Sequence, residues 1–164
     1  MTSTTKTKST GADQPHAATP NAIALLKADH KAVSALFTDY ESARSTTKKK
    51  GIVAEICTAL SVHAQIEEEI FYPDVKVALK DKLLVPEAEV EHASVKDLIA
   101  QLEGVDPDGE MYDAKVKVLS EYVKHHVKEE QNEMFPKVKE SSLDLDKLGA
   151  RMAARKSELL AAKK

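Results

Sequence analysis

The chain has 164 residues, a net charge of −3, five glycines and a single cysteine, Cys57. This length suits one domain with one core, and the small net charge argues against a nucleic-acid or anionic-membrane partner. No apolar run approaches membrane length or resembles a signal-peptide core, the lone thiol has no intramolecular disulfide partner, and Lys, Glu, Ala and Leu dominate after residue 20; an all-α, cytoplasmic protein is expected.

Residues 1–18, rich in Thr, Ser, Lys and Ala, carry almost nothing to bury and read as a disordered tail, with His16 a bystander. Thr19-Pro20 predicts a helix start with proline at the first helical position. Ile23, Leu26, His30, Val33, Phe37 and Tyr40 then recur in steps of three and four, the inward seam of a bundle helix. The polar stretch 42–51 breaks the pattern, and Lys48, Lys49 and Lys50 within it read as a solvated turn or helix start. A second helix places Ile52, Ile56, Ala59, His63, Glu67 and Ile70 on one stripe, with Pro73 expected to kink or interrupt it. Residues 75–84 read as a short helical extension. Val85-Pro86 restarts the chain, and a third helix runs through Ala88, His92, Val95, Ile99 and Leu102. Residues 104–109, with Pro107 and two glycines, form a loop. A fourth helix follows through Val116, Leu119, Val123, His126 and Glu130 toward Pro136. The last segment, 144–162, carries Leu145, Leu148, Met152, Leu159 and Leu160 and reads as a fifth helix, either packed outside the bundle or an oligomer contact. The expected organisation is a tail (1–18), a four-helix bundle (19–140) and a C-terminal helical extension (141–164). The oligomeric state is left open.

The histidines fall into two matching halves. His63, Glu67 and Pro73 repeat as His126, Glu130 and Pro136, and Asp29-His30 with Val33 and Leu36 repeats as Glu91-His92 with Val95 and Leu98. A histidine and a carboxylate four residues apart share one helical face. One histidine on an apolar stripe is ordinarily a packed core residue. Four on four different helices, two of them followed by an inward glutamate, are another matter. Burying Glu67 and Glu130 as unpaired anions costs several kcal/mol, and shared cations remove that cost. His125 with Glu129 has the same spacing as His126 with Glu130, but His126 aligns with Val116, Leu119 and Val123. His125 lies about 100° round the helix and is expected beside the site or in solvent, as are Glu68, Glu69, Glu129 and Glu133. Imidazoles and carboxylates without thiolates suit iron or manganese rather than structural zinc. No HExxH motif is present, and a ferritin-like site would need a second Glu-x-x-His besides Glu89–His92.

The stretches His63-Ala-Gln-Ile-Glu67-Glu-Glu-Ile-Phe71-Tyr-Pro73 and His126-Val-Lys-Glu-Glu130-Gln-Asn-Glu-Met-Phe135-Pro136 resemble the second and fourth helices of the haemerythrin-like family, the HHE cation-binding domain. The resemblance spans residues 20 to about 140 and implies an up-and-down four-helix bundle around a non-haem di-iron centre. It implies His30, His63, His92 and His126 as terminal ligands, and Glu67 and Glu130 as bridges alongside an oxo or hydroxo group. The oxygen carriers of this family place a further histidine one turn after the third-helix histidine, where this chain has Lys96, and Asp rather than Glu in the last motif.

Four histidines, two bridging carboxylates and a bridging oxygen leave two positions of an octahedral iron pair to be filled. Glu89, Tyr122 or Tyr40 are candidates for one of them. More open iron, or a harder oxygen donor, favours redox turnover of a small oxidant over reversible O2 storage. The resemblance therefore points first to catalase-like decomposition of hydrogen peroxide, and otherwise to a module that binds or senses O2, nitric oxide or iron without turnover. Lys96 or His125 is a candidate for proton movement, no residue is singled out as catalytic, and Cys57 reads as a small core residue.

Overall fold

The computed structural model describes residues 19–163, so the tail and His16 lie outside it. Four long helices form the bundle: α1 (Ala22–Ser42), α2 (Thr46–Ile66), α4 (Leu84–Leu102) and α5 (Glu110–Glu129). The connection 43–45 is short and makes α1 and α2 antiparallel neighbours, and the loop 103–109 does the same for α4 and α5. That loop turns on Gly104 and Gly109, whose φ values of 72° and 98° a side chain would strain. No strand occurs among the described residues, and no described helix is long and apolar enough to cross a membrane.

The helix starts are capped by residues the periodicity did not single out. The Asn21 side chain accepts from the Ala24 N–H at 2.9 Å, so α1 begins after Pro20 rather than on it. Ser45 accepts from the Lys48 N–H at 3.1 Å, which places the lysine run inside the first turns of α2. The helical extension expected over 75–84 is shorter: α3 (Tyr72–Ala78) ends there, and the chain turns before α4.

Neither Pro73 nor Pro136 breaks its helix. Each is preceded by one turn of π-helix, Glu67–Phe71 after α2 and Glu130–Met134 after α5. The wider turn closes on hydrogen bonds from Tyr72 N–H to Glu67 C=O and from Phe135 N–H to Glu130 C=O. Proline then falls in the first turn of the next segment, α3 or α6 (Phe135–Glu140), where its missing donor is tolerated. The extra residue also shifts the inward stripe. Phe71 is fully buried in place of the expected Ile70, which is only partly buried.

Two apolar clusters fill the bundle. One, at the π-turn end, gathers Leu26, Ile66, Phe71, Val75, Phe135 and Val138. The other gathers Val33, Phe37, Ile56, Leu60, Val95 and Leu119, with Cys57 buried among them and its thiol pushed up to about 11 by burial. Between the clusters lies the polar layer that holds the paired histidines.

The last helix, α7 (Leu145–Ala162), packs on α1, α2 and the first π-turn, so it is a fifth layer of the domain. Asp144 caps it by accepting from the Lys147 N–H at 3.1 Å, and Leu148 and Met152 are buried in the π-end cluster. At Gly149 the contact is backbone to backbone, since a Cβ there would lie 2.5 Å from the Pro20 carbonyl oxygen and 2.7 Å from the Ala22 nitrogen.

Candidate metal centre

The four bundle helices and the π-turns that continue α2 and α5 bring His30, His63, His92, His126, Glu67 and Glu130 to one buried layer. Their donor atoms form two groups, His30, His63 and Glu130 in one and Glu67, His92 and His126 in the other, with the atoms of each group within 4.8 Å of one another. The two carboxylates tie the groups together. Glu130 sends one oxygen to each half, Oε1 lying 3.3 Å from His30 Nε2 and Oε2 3.2 Å from His126 Nε2. Glu67 Oε1 sits between the halves, 2.8 Å from His63 Nε2 and 3.4 Å from His92 Nε2.

Every one of the four imidazoles donates its Nδ1–H outward. His63 donates to Asp29 Oδ2 at 3.0 Å and His126 to Glu91 Oε1 at 2.9 Å. His30 donates to Gln131 Oε1 at 2.9 Å and His92 to Glu68 Oε2 at 3.2 Å. These partners fix the rings with Nε2 facing the centre, the tautomer a metal requires. The pattern is again duplicated: Asp29 and Glu91 each precede the first histidine of a half, while Glu68 and Gln131 each follow its glutamate. Asp29 and Glu91 were visible in the sequence repeat. Glu68, expected beside the site or in solvent, stands beside it as the outer partner of His92.

Several donor atoms at the centre have no hydrogen-bond partner among the described residues: His30 Nε2, His63 Nε2, both oxygens of Glu67 and Glu130 Oε1. Atoms such as His63 Nε2 and Glu67 Oε1 are close without hydrogen-bond geometry, as donors converging on a common cation are. Orphaned buried groups of this kind cost several kcal/mol unless something binds them. Their protonation tells the same story. Burial lowers the His63 imidazole, but the Glu67 charge and the bond to Asp29 overcome it and hold it at about 10. Burial is likewise outweighed at His126, held at about 9 by Glu130 and Glu67. Glu67, which burial alone would raise, is held well below the usual carboxylate range by His63 and His92. Without metal, protons on the imidazoles balance the two carboxylates, and bound cations would replace them. Imidazole and carboxylate donors, without thiolate, fit iron.

A model of the hemerythrin HHE cation-binding domain matches residues 21–138. The chain belongs to this family. A hemerythrin HHE cation-binding domain-containing protein from Mycobacterium kansasii has a similar fold, with a TM-score of 0.75 and 24% identity over 87% of this chain and 89% of that one. An uncharacterized protein of Mycobacterium tuberculosis is 26% identical over 143 residues, 85% of this chain and 87% of its own. A DNA nickase of Nostoc sp. is 26% identical over 137 residues. The chain spans only 39% of the length of that protein.

Within this HHE domain, the candidates for an additional ligand are corrected by the structure. Glu89 is exposed, Tyr122 is 46% exposed, and Tyr40 donates to Asp113 away from the centre. The tyrosine at the site is Tyr72. Its hydroxyl donates to Glu130 Oε2 at 2.7 Å and lies 3.2 Å from His92 Nε2 and 3.4 Å from His126 Nε2. Burial and the nearby Glu130 and Glu67 charges push that hydroxyl well above its ordinary pKa. The π-turn carries Tyr72 inward, and plain helical periodicity gives no sign of it. Its counterpart in the other half is Phe135, which stacks on His30 with ring centroids 6.1 Å apart. Lys96 does not fill the place of a ligand, because its amine pairs with Glu68 at 2.5 Å. His125 is 65% exposed and pairs with Glu91 and Glu129, the surface position expected for it.

Proposed function

We propose that the domain holds two non-haem iron ions with an oxo or hydroxo bridge, and that it decomposes hydrogen peroxide in a catalase-like reaction. The carrying observation is the donor set around His92 and His126, where a tyrosine oxygen joins two imidazoles and two carboxylates. His30 and His63 would hold one ion, His92 and His126 the other, with Glu67 and Glu130 shared. Tyr72 is the further oxygen ligand in this reading. An anionic oxygen donor favours the more oxidised metal and disfavours reversible O2 binding.

The bound pair supplies two-electron redox chemistry: one peroxide is oxidised to O2, giving two electrons and two protons, and a second takes them up to become two waters. The protein's own groups do the rest. Asp29, Glu91, Glu68 and Gln131 hold the imidazoles in register. Tyr72 holds a proton at its hydroxyl, donated to Glu130 Oε2, which a bound metal would displace. A small cavity of about 30 Å³ adjoins the four histidines, walled by Val33, Leu60, Val95, Val123 and Val127. That is room for a molecule of peroxide size, and its apolar wall excludes larger polar oxidants.

The same cavity suits a diatomic ligand, the basis of the second reading, a module that binds O2 or nitric oxide without turnover. Iron analysis with an optical spectrum before and after peroxide separates the two. Turnover predicts repeated consumption of peroxide and recovery of the starting spectrum. A stable adduct that leaves further peroxide untouched favours the binding module, and a protein that retains no iron refutes both.

A further inference from the structure

The C-terminal helix lies beyond the residues the family model matches, yet one of its side chains reaches Asp29, the carboxylate behind His63. Lys156 on α7 donates from Nζ to Asp29 Oδ1 at 2.5 Å, and the other oxygen of Asp29 accepts the Nδ1–H of His63 at 3.0 Å. Asp29 is buried, and the lysine side chain is only 35% exposed. Two arginines set α7 in place around this contact. Arg155 reaches both oxygens of Glu69 in the first π-turn, at 2.7 and 3.2 Å, and Arg151 bonds Asp74 of α3 at 2.9 Å. The corresponding carboxylate of the other half, Glu91, faces the exposed His125 instead.

A carboxylate that orients a ligating imidazole is itself free to swing unless both its oxygens are held. Lys156 holds the second oxygen. We propose that α7 is a clamp on the metal centre, in which Lys156 positions His63 through Asp29 and so selectively secures the metal position formed with His30. Lys156 is a positioning residue, for it touches no donor atom of the centre. The inference rests on the metal reading of the site.

The test uses the full chain loaded with ferrous iron, and follows release to an excess of a ferrous chelator under reducing conditions. Lys156→Met keeps the stem and removes the charge. It is expected to release one of the two irons about tenfold faster, within the range for loss of such an orienting partner, while the second leaves at the unaltered rate. Lys156→Arg restores slow release. In iron-free protein the Nδ1 proton resonance of His63 is sharp in the wild type and exchange-broadened in Lys156→Met. Release of both irons at the unaltered rate, or of both faster to the same extent, overturns the clamp. If even the wild type binds no iron, the metal reading fails separately, and the His63 proton resonance alone still shows whether Lys156 holds Asp29.

Discussion

The two halves of this domain are near copies in sequence and differ in what surrounds each pair of imidazoles. In the first half, α1 and α2 supply His30 and His63, backed by Gln131 and by Asp29 under Lys156. In the second, α4 and α5 supply His92 and His126, backed by Glu68 under Lys96 and by Glu91 beside His125. The π-turns differ most usefully, since Tyr72 projects a hydroxyl into the second half while Phe135 presents a bare ring to the first. Duplication thus accounts for the pair of positions, and departures from it for the side chains that differ around them. Two identical halves would offer two identical surroundings, and these do not.

Removing a shared carboxylate breaks both halves together and has the largest expected effect. Glu130→Ala takes an oxygen from His30 and from His126, and iron per chain should fall to near zero in elemental analysis. His63→Ala attacks only the first half and should lose at least one equivalent. A bundle whose histidines serve packing alone would keep whatever metal it binds in both variants.

The helix that leans on the first half offers the next test. Gly149→Ala forces a Cβ against backbone atoms of residues 20–22. Such overpacking costs about 1–3 kcal/mol, and thermal unfolding of the variant should show a drop of several degrees.

Tyr72→Phe places after the first π-turn the residue type that Phe135 supplies after the second. Peroxide turnover should fall about tenfold, equivalent to about 1.4 kcal/mol in the barrier, and any tyrosinate-to-iron absorption in the visible spectrum should vanish. Retention of that absorption would remove Tyr72 from the ligand set.

Acidity should act in opposite directions on the stability of the iron-free fold and on its affinity for iron. With His63 held at about 10 and His126 at about 9, both above the ordinary 6.5, their protonated forms stabilise the iron-free fold fully below pH 6.5. That contribution is lost as pH rises through 9 and 10, so the melting temperature of iron-free protein should decline over this window. Iron must displace the same protons, so its affinity should rise over the same window. Parallel melting curves and iron titrations at several pH values would show the divergence.

Much of this could be read from residue spacing. The positions of His30, His63, His92 and His126 followed from helical stripes, as did Glu67 and Glu130, and the choice of His126 over His125 rested on alignment with Val116, Leu119 and Val123. The structure brings the inward histidines and glutamates together and leaves His125 at the surface. The π-turns were not legible, because one extra residue per turn leaves no mark on a three-and-four pattern except the conflict between Ile70 and Phe71. Tyr72 was missed for that reason, and because its partner in the repeat is a phenylalanine. Lys156 carried no local signal at all, since its contact with Asp29 depends on how α7 folds back over α1 and α2.

The most direct test of the central claim is O2 evolution from hydrogen peroxide by chain carrying two irons, read on an oxygen electrode beside Glu130→Ala. The expected result is many turnovers per iron pair, one O2 for every two peroxides consumed, and none from the variant. No O2 from fully loaded protein, or as much from Glu130→Ala as from the wild type, would show that this centre does not turn over peroxide.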